Sequence, residues 1–366
     1  MTRDVDRLAW HPSAGFALPG VILLVALLTA LLLAGLSRVA ADVQIAAAGE
    51  DIAAAVVVAQ NGLQTYLGQL TLDACERPIR PPDGDSVRIN VAGGYAEVVA
   101  RVVMRPADTL DAWLYVVRSM GYVIEPAAGA VPTARRTVAQ FAQWQSADLG
   151  LPAVYTAANG LNRLSGGGGE LRGVDQHASS SCRLPDLRAL RVSGTVPDLS
   201  GFNLSGGSPQ GGGTGAGIVN TAGIDWLTAS SPGGIVPDFT TPQYNNTDYP
   251  VQVVLGDATL GVAGQSRTGY GLLVVAGELT VVGTLVQWYG VVLVGGRLRF
   301  NADDQRFDGL VAAGLNVQFG PGPGTGTIGG DYTDIDYDSR EVLRALRPLA
   351  GFSAVTNGYF DNWPVP

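Results

Sequence analysis

The longest hydrophobic run of the chain lies near its N-terminus. Residues 16–36 are 21 consecutive positions without a charged side chain, and Leu, Val, Ile and Ala dominate them. A helix rises about 1.5 Å per residue, so this run predicts about 31 Å of apolar helix, which is enough to cross a bilayer. Apolar residues continue at helical spacing over 36–46 and 63–70, and prolines from Pro78 onward end the pattern. The pattern therefore predicts one long helix over residues 16–70, apolar at first and amphipathic afterwards.

From residue 87 the hydrophobic pattern changes to a period of two. The alternating segments are residues 87–91, 95–104, 113–117 and 137–144. Turn residues separate them at short spacing, which is typical of an antiparallel meander. We expect residues 71–148 to form an antiparallel sheet that packs on the helix, as an α+β layer pair.

A repeat with a period of 19 residues fills much of residues 250–338. Each copy has a first strand and a short second strand, at 271–275 with 279–281, at 290–294 with 298–300, and at 309–313 with 317–319, and one step backwards gives 253–255 with 260–262. Fixed-period repeats of this kind predict stacked coils, so we expect an all-β part in the form of a small β-solenoid. Residues 339–366 are expected to form a helix that caps the open edge of the solenoid, followed by a tail.

Residues 149–249, between these two regions, are rich in Gly, Ser and Pro and low in charge. The glycine runs at 166–169 and 206–217 are typical of loops or linkers. They do not match a phosphate-binding loop, since the chain contains no lysine to contact the phosphates.

The composition narrows the classes of function. Charged residues make up only 15% of the chain, Gly accounts for 50 of 366 residues, and the net charge is −9. An acidic chain lacks the basic face that a nucleic-acid binder needs, so we expect no nucleic-acid partner. We also expect no cofactor and no catalytic activity.

The two cysteines, Cys75 and Cys182, leave two interpretations open. Outside the cytoplasm they could form one disulfide that ties the end of the long helix to a later region, and otherwise they are two buried thiols. His177 lies near Cys182, but one His and one Cys do not make a catalytic or metal site.

Acidic residues cluster in the C-terminal half of the chain. The alternating Asp334, Asp336 and Asp338 are weak candidates for calcium ligands, because carboxylate oxygens suit that ion. They lack the Gly and the distal Glu of a complete calcium loop, so a solvated acidic strand face is the favoured interpretation. Asp303 and Asp304 could serve glycoside hydrolysis only as part of a carboxyl pair across a cleft, and no pattern of a cleft accompanies them.

A short motif precedes the apolar run. Ser13, Ala14 and Gly15 lead directly into Phe16. This junction resembles the leader junction of type IV pilins and pseudopilins, in which a prepilin peptidase cuts after the glycine and the new N-terminal residue, usually Phe, is methylated. The resemblance implies cleavage between Gly15 and Phe16. The family usually has Glu at the fifth mature position, where this chain has Gly20, and this difference favours a minor, tip or assembly pilin over a major subunit.

Further stretches resemble PilX-like pilus assembly proteins. They are residues 114–121, the Ala-Arg-Arg-Thr-Val segment at 134–138, the strand at 271–275, the Tyr-Asp-Ser triplet at 337–339, and Trp363. The resemblance covers both ends of the chain and is weak over residues 150–245.

The resemblance implies a minor-pilin-like structural component in the assembly of a type IV pilus or a related filament. Its partners would be other pilins or pseudopilins, the prepilin peptidase and the bacterial inner membrane, which the helix would cross once with the N-terminus in the cytoplasm. The alternative is a membrane-anchored surface adhesin or glycan-binding protein. A plain signal anchor, or a signal peptide cleaved after Ala41, also remains open.

Overall fold

The computed structural model describes residues 17–106, 112–124, 131–146, 148–165, 167–320 and 324–362. It begins with a single helix of 52 residues, α1 (Ala17–Gly68). The long N-terminal helix predicted from the apolar run is therefore confirmed. Gly15, Phe16 and Trp363 lie outside the described residues.

A five-stranded antiparallel sheet packs on the C-terminal half of α1. Its strands in spatial order are β1 (Asp85–Val91), β2 (Gly94–Met104), β3 (Trp113–Ile124), β4 (Pro132–Gln145) and β19 (Gly351–Asp361). The predicted meander is confirmed for the first four strands. Alternate side chains of the sheet face α1 and form one core with Leu63, Tyr66 and Leu67 of the helix. We call this sheet and the packed half of α1 the head.

The helix approaches β2 and β3 at small residues. A Cβ atom on Gly121 would overlap backbone atoms of Ala55 and Ala59, and one on Gly62 would overlap Cβ of Ala96. Glycine at these positions lets the helix and sheet backbones pack in direct contact, which a larger side chain would prevent.

The residues expected to form a C-terminal tail instead complete the head. Strand β19 pairs antiparallel with β4, with Gly351 opposite Gln145 and Asp361 opposite Val138. Residues 146–350, between β4 and β19 along the chain, form a second structure, which we call the inserted unit.

Parallel strands make up the inserted unit. Those of its first half are β5 (Ala153–Ala157), β6 (Leu161–Arg163), β7 (Gly168–Arg172), β8 (Arg188–Val192) and β9 (Phe202–Ser205). The short helices α2 (Gly215–Thr221) and α3 (Trp226–Ala229) follow, and then come β10 (Val251–Val254), β11 (Ala258–Leu260), β12 (Ser266–Val275), β13 (Leu279–Val281), β14 (Leu285–Val294), β15 (Leu298–Phe300), β16 (Asp304–Ala313), β17 (Gly326–Ile328) and β18 (Tyr332–Asp336). One nine-stranded sheet runs β10-β12-β14-β16-β18-β7-β9, with β5 beside β16 and β8, and β11-β13-β15 form a second sheet.

The 19-residue repeat appears as the register between neighbouring strands. Leu272 lies opposite Val291, and Val291 lies opposite Leu310. The repeat copy predicted one step before residue 271 is displaced by two residues. Val251 pairs with Leu272, so the offset between these strands is 21 and not 19. The segment expected to form the last short strand is a 3₁₀ helix, Leu315–Phe319, because Gly314 adopts a left-handed conformation that turns the chain away.

The Gly-rich region consists only partly of loops. The glycine run at 206–214 lies outside the helices and strands, as expected, but residues 153–205 contribute five strands. Its strands β5, β7, β8 and β9 belong to the same parallel sheet as the repeat. The glycines lie where one backbone meets the next: a Cβ on Gly169 would overlap Thr333 O, and one on Gly167 would lie 2.9 Å from Cα of Gly329. High glycine content here reflects close backbone approach within a sheet.

The sequence predicted that a helix within residues 339–366 caps an open edge of the solenoid. Helix α4 (Ser339–Leu346) does not do so. It lies on the face of the sheet against β12, β14 and β16. Its buried apolar residues Val342 and Leu346 join the core of the inserted unit, so the helix packs where its apolar side has most to cover.

Candidate functional site

The N-terminal half of α1 exposes an apolar surface on all sides. By length and composition the segment Val21–Gly68 qualifies as a membrane span, with a mean hydropathy of 2.3 in a window that the chain itself leaves uncovered. Leu23 and Leu33 are 68% and 67% exposed. A signal sequence near the N-terminus would pass the same test. The helix can therefore insert into an apolar environment. This property does not distinguish a permanent membrane span from a cleaved signal sequence or a helix that later packs against other helices.

The apolar surface continues beyond Arg38, the first charged residue after the uncharged run. Val39, Val43 and Ile45 are 60%, 62% and 70% exposed, and no described residue of the head covers them. Burial by the head begins only near Ala55. Residues 39–54, roughly 24 Å of helix, therefore separate Arg38 from the head and leave these apolar side chains uncovered.

The outer face of the antiparallel sheet, opposite α1, is also open. Strand pairing places Tyr95, Tyr122 and Arg135 in one row across it, and the Arg88 guanidinium lies 3.5 Å over the Tyr95 ring. Tyr95 and Tyr122 stack with ring centroids 4.7 Å apart. The face thus combines aromatic rings with guanidinium groups, a mixture common where proteins contact one another.

A clasp of three consecutive residues joins the end of α1 to the inserted unit. Cys75 forms a disulfide with Cys182 across a sequence separation of 107 residues. The Arg77 guanidinium donates to the carbonyl of Cys182 at 2.8 Å. We call this group, with Glu76, the junction clasp.

Glu76 supplies the ionic part of the junction clasp. Its carboxylate accepts hydrogen bonds from Nε and Nη2 of Arg344 at 2.8 Å each, and from Nη2 of Arg347 at 2.7 Å. The hydrogen bonds from Arg344 are the main reason that the pKa of Glu76 falls to about 2. Sequence reasoning missed this contact, since nothing local pairs Glu76 with a helix 268 residues later.

The calcium candidates are engaged in other contacts. Asp334 accepts a hydrogen bond from the backbone N–H of Glu170. Asp336 lies 3.5 Å from Nε of Arg172 and 3.8 Å from Nη2 of Arg306. Asp338 caps α4. Among the described residues no group of three or more His, Cys, Asp or Glu side chains is arranged to hold a metal ion.

Asp336 is buried beside a second carboxylate. Its side chain is only 4% exposed, and Asp308 occupies the opposite position on β16. Burial raises the pKa of Asp336 to about 6 and also raises the pKa of Asp308, against the attraction of nearby guanidinium groups. Arg306 donates to Asp308 through Nε and Nη2. The acidic cluster is therefore an internal charge network, rather than the solvated face that the sequence favoured.

The comparisons with known proteins add little. No protein-family model and no curated protein matches the chain. Among solved structures, the chain is similar to the competence-associated pilin ComZ from Thermus thermophilus, with 11% identity over 80% of this chain and 86% of the other and a TM-score of 0.19. A TM-score this low describes backbones that do not superpose as wholes, so the likeness carries no argument about function.

Proposed function

We propose that this protein is a minor-pilin-like structural component of a type IV pilus or related filament and acts by helix packing without catalysis. The observation that carries the proposal is the division of α1. One half is packed on an antiparallel head, while the other half presents apolar side chains on all sides. Such a helix can pass from lipid to the helices of other pilins at little cost, because both surroundings are apolar.

The proposal includes processing at the junction before α1. A prepilin peptidase would cut after Gly15 and leave Phe16 as the methylated N-terminus. The helix would cross the inner membrane once, with the head and inserted unit outside the cytoplasm. A disulfide between Cys75 and Cys182 supports that location, since such bonds persist in oxidising compartments.

We propose further that the inserted unit is a short β-solenoid displayed by the head. Two parallel ladders share the 19-residue register between β12 and β14 and between β13 and β15, as stacked coils require. The PilX-like assignment and the position in the filament belong to the same proposal.

The intact mass and N-terminal residue of the membrane-extracted protein test the proposal. We expect a chain that starts at methylated Phe16, and a Gly15→Leu variant that keeps its leader. A Gly20→Ala variant, changed five residues away, serves as the matched control and should be processed normally. A chain that starts at Met1 would indicate a plain anchor, and one that starts at Asp42 a secreted protein, and either result would remove the pilin assignment.

The position in the filament needs a separate experiment. Gly20 stands where related pilins carry the Glu that pairs with a neighbouring subunit, so we expect this protein at an end of the filament. A Gly20→Glu variant should then also appear along the shaft in labelled filaments, whereas Gly20→Gln, which is similar in size but uncharged, should not. If the Gly20→Glu variant were still found only at the filament ends, the explanation of the terminal position by Gly20 would be contradicted.

A further inference from the structure

The disulfide of the junction clasp forms a covalent shortcut around the head. Strands β1 to β4 all lie between Cys75 and Cys182 along the chain. The anchor α1 ends seven residues before Cys75, whereas Cys182 belongs to the inserted unit. Tension between the anchor and the inserted unit therefore has a covalent route that does not pass through the antiparallel sheet.

The surroundings of the disulfide favour this route over the sheet. Cys182 is only 6% exposed, and its carbonyl accepts a hydrogen bond from Arg77, on the other side of the junction. Arg344 and Arg347 grip Glu76, the residue next to Cys75. The first contact joins the two cysteine segments directly, and the second joins the Cys75 segment to another part of the inserted unit, so hydrogen bonds and ion pairs support the disulfide.

We propose that the junction clasp makes the inserted unit, and not the antiparallel sheet, the part of the chain that resists a pull against the anchor. Without the disulfide, a pull on the inserted unit would act on β4 and separate it from the sheet and from the core that it shares with α1. With it, the tension runs from α1 through the disulfide to the inserted unit and bypasses the antiparallel sheet. The inference does not depend on whether α1 packs into a filament, since any anchor would transmit the same tension.

Optical-tweezers stretching of the full chain in detergent micelles tests this proposal. One handle is attached at the N-terminus and the other is inserted in the exposed turn at Pro232 and Gly233. Opening of the antiparallel sheet alone would release the stretch from Cys75 to Ala153, about 78 residues, or about 260 Å at about 3.3 Å per residue. All of α1 lies between the N-terminal handle and Cys75, so it contributes equally to all variants.

We expect no 260 Å step in the oxidised protein before the inserted unit itself unfolds. The double variant Cys75→Ser/Cys182→Ser should show that step at a lower force than the unfolding of the inserted unit. If the double variant does not fold, dithiothreitol added to the folded wild-type protein in the trap replaces it and should produce the same step. A reduced or double-variant protein whose head stays closed until the inserted unit unfolds would overturn the proposal, because the head would then resist the tension unaided.

Discussion

Gly121 offers a sharp test of how the head is assembled. It lies on β3 directly under α1, and a Cβ atom there would overlap backbone atoms of Ala55 and Ala59 and approach Cα of Ala59 to 2.9 Å. Carbon atoms without a bond between them prefer about 3.5–4.0 Å. The change Gly121→Ala therefore requires α1 to move away from the sheet by about 0.6–1 Å, since backbone atoms cannot rotate aside.

The cost follows from that displacement. Overpacking a dense core typically costs about 1–3 kcal/mol, and we expect the upper end because the obstacle is backbone. A loss of about 3 kcal/mol corresponds to a roughly 100-fold increase in the population of the opened state. The mutation should therefore loosen residues 55–67 of α1 while the inserted unit keeps its stability.

Hydrogen–deuterium exchange measured by mass spectrometry on the full chain in detergent reports this local opening. Amides of α1 at 55–67 should exchange about 100-fold faster in Gly121→Ala than in wild type. The matched control is Gly49→Ala, where nothing lies within 4 Å of the added methyl group, so that helix propensity alone acts and stabilises by up to about 1 kcal/mol. Exchange in Gly121→Ala within twofold of wild type would show that α1 and β3 are not in direct backbone contact.

Three further predictions concern other contacts. Gly62→Ala should destabilise the head, and Ala96→Gly should rescue it in the double variant, because the obstacle there is the Ala96 methyl group; failure of the rescue in thermal melts would contradict the packing. Glu76→Gln should lower the free energy of unfolding by about 1 kcal/mol and the melting temperature with it, since the ion pair with Arg344 is partly exposed. A variant that melts at the wild-type temperature at neutral pH would refute this prediction. Burial raises the pKa of Asp336 to about 6, so its contribution to stability is present at about pH 4 and lost as the pH rises through 6; Asp336→Asn should flatten this slope in denaturation curves, and an unchanged slope would count against it.

Local patterns predicted the parts of the fold that depend on nearby residues. The uncharged run gave α1, and the alternation over 87–144 gave four strands of the head, because each signal is contained in the element it describes. The fifth strand was missed, since residues 351–361 pair with β4 about 200 residues earlier. Such pairing leaves no mark in the local pattern.

The strands at 153–205 in the Gly-rich region were missed for a different reason. Glycine is common both in flexible loops and where two backbones touch, and only the partner strand distinguishes the two cases. Gly169 packs against Thr333, a residue far along the chain, so sequence reasoning had no access to the partner. The charge network of Asp336 and the ion pairs of Glu76 were missed for the same reason.

The position of the inserted unit has a consequence for modularity. Its two ends leave the head at Gln145 and Gly351, which face each other across adjacent strands, so they are separated by only about 5 Å. A hairpin loop of two to five residues could close that gap, and an unrelated domain with neighbouring termini could fill it. The inserted unit can therefore be exchanged for another domain without changes to the head or to α1, provided that Cys75 is replaced or given a new partner.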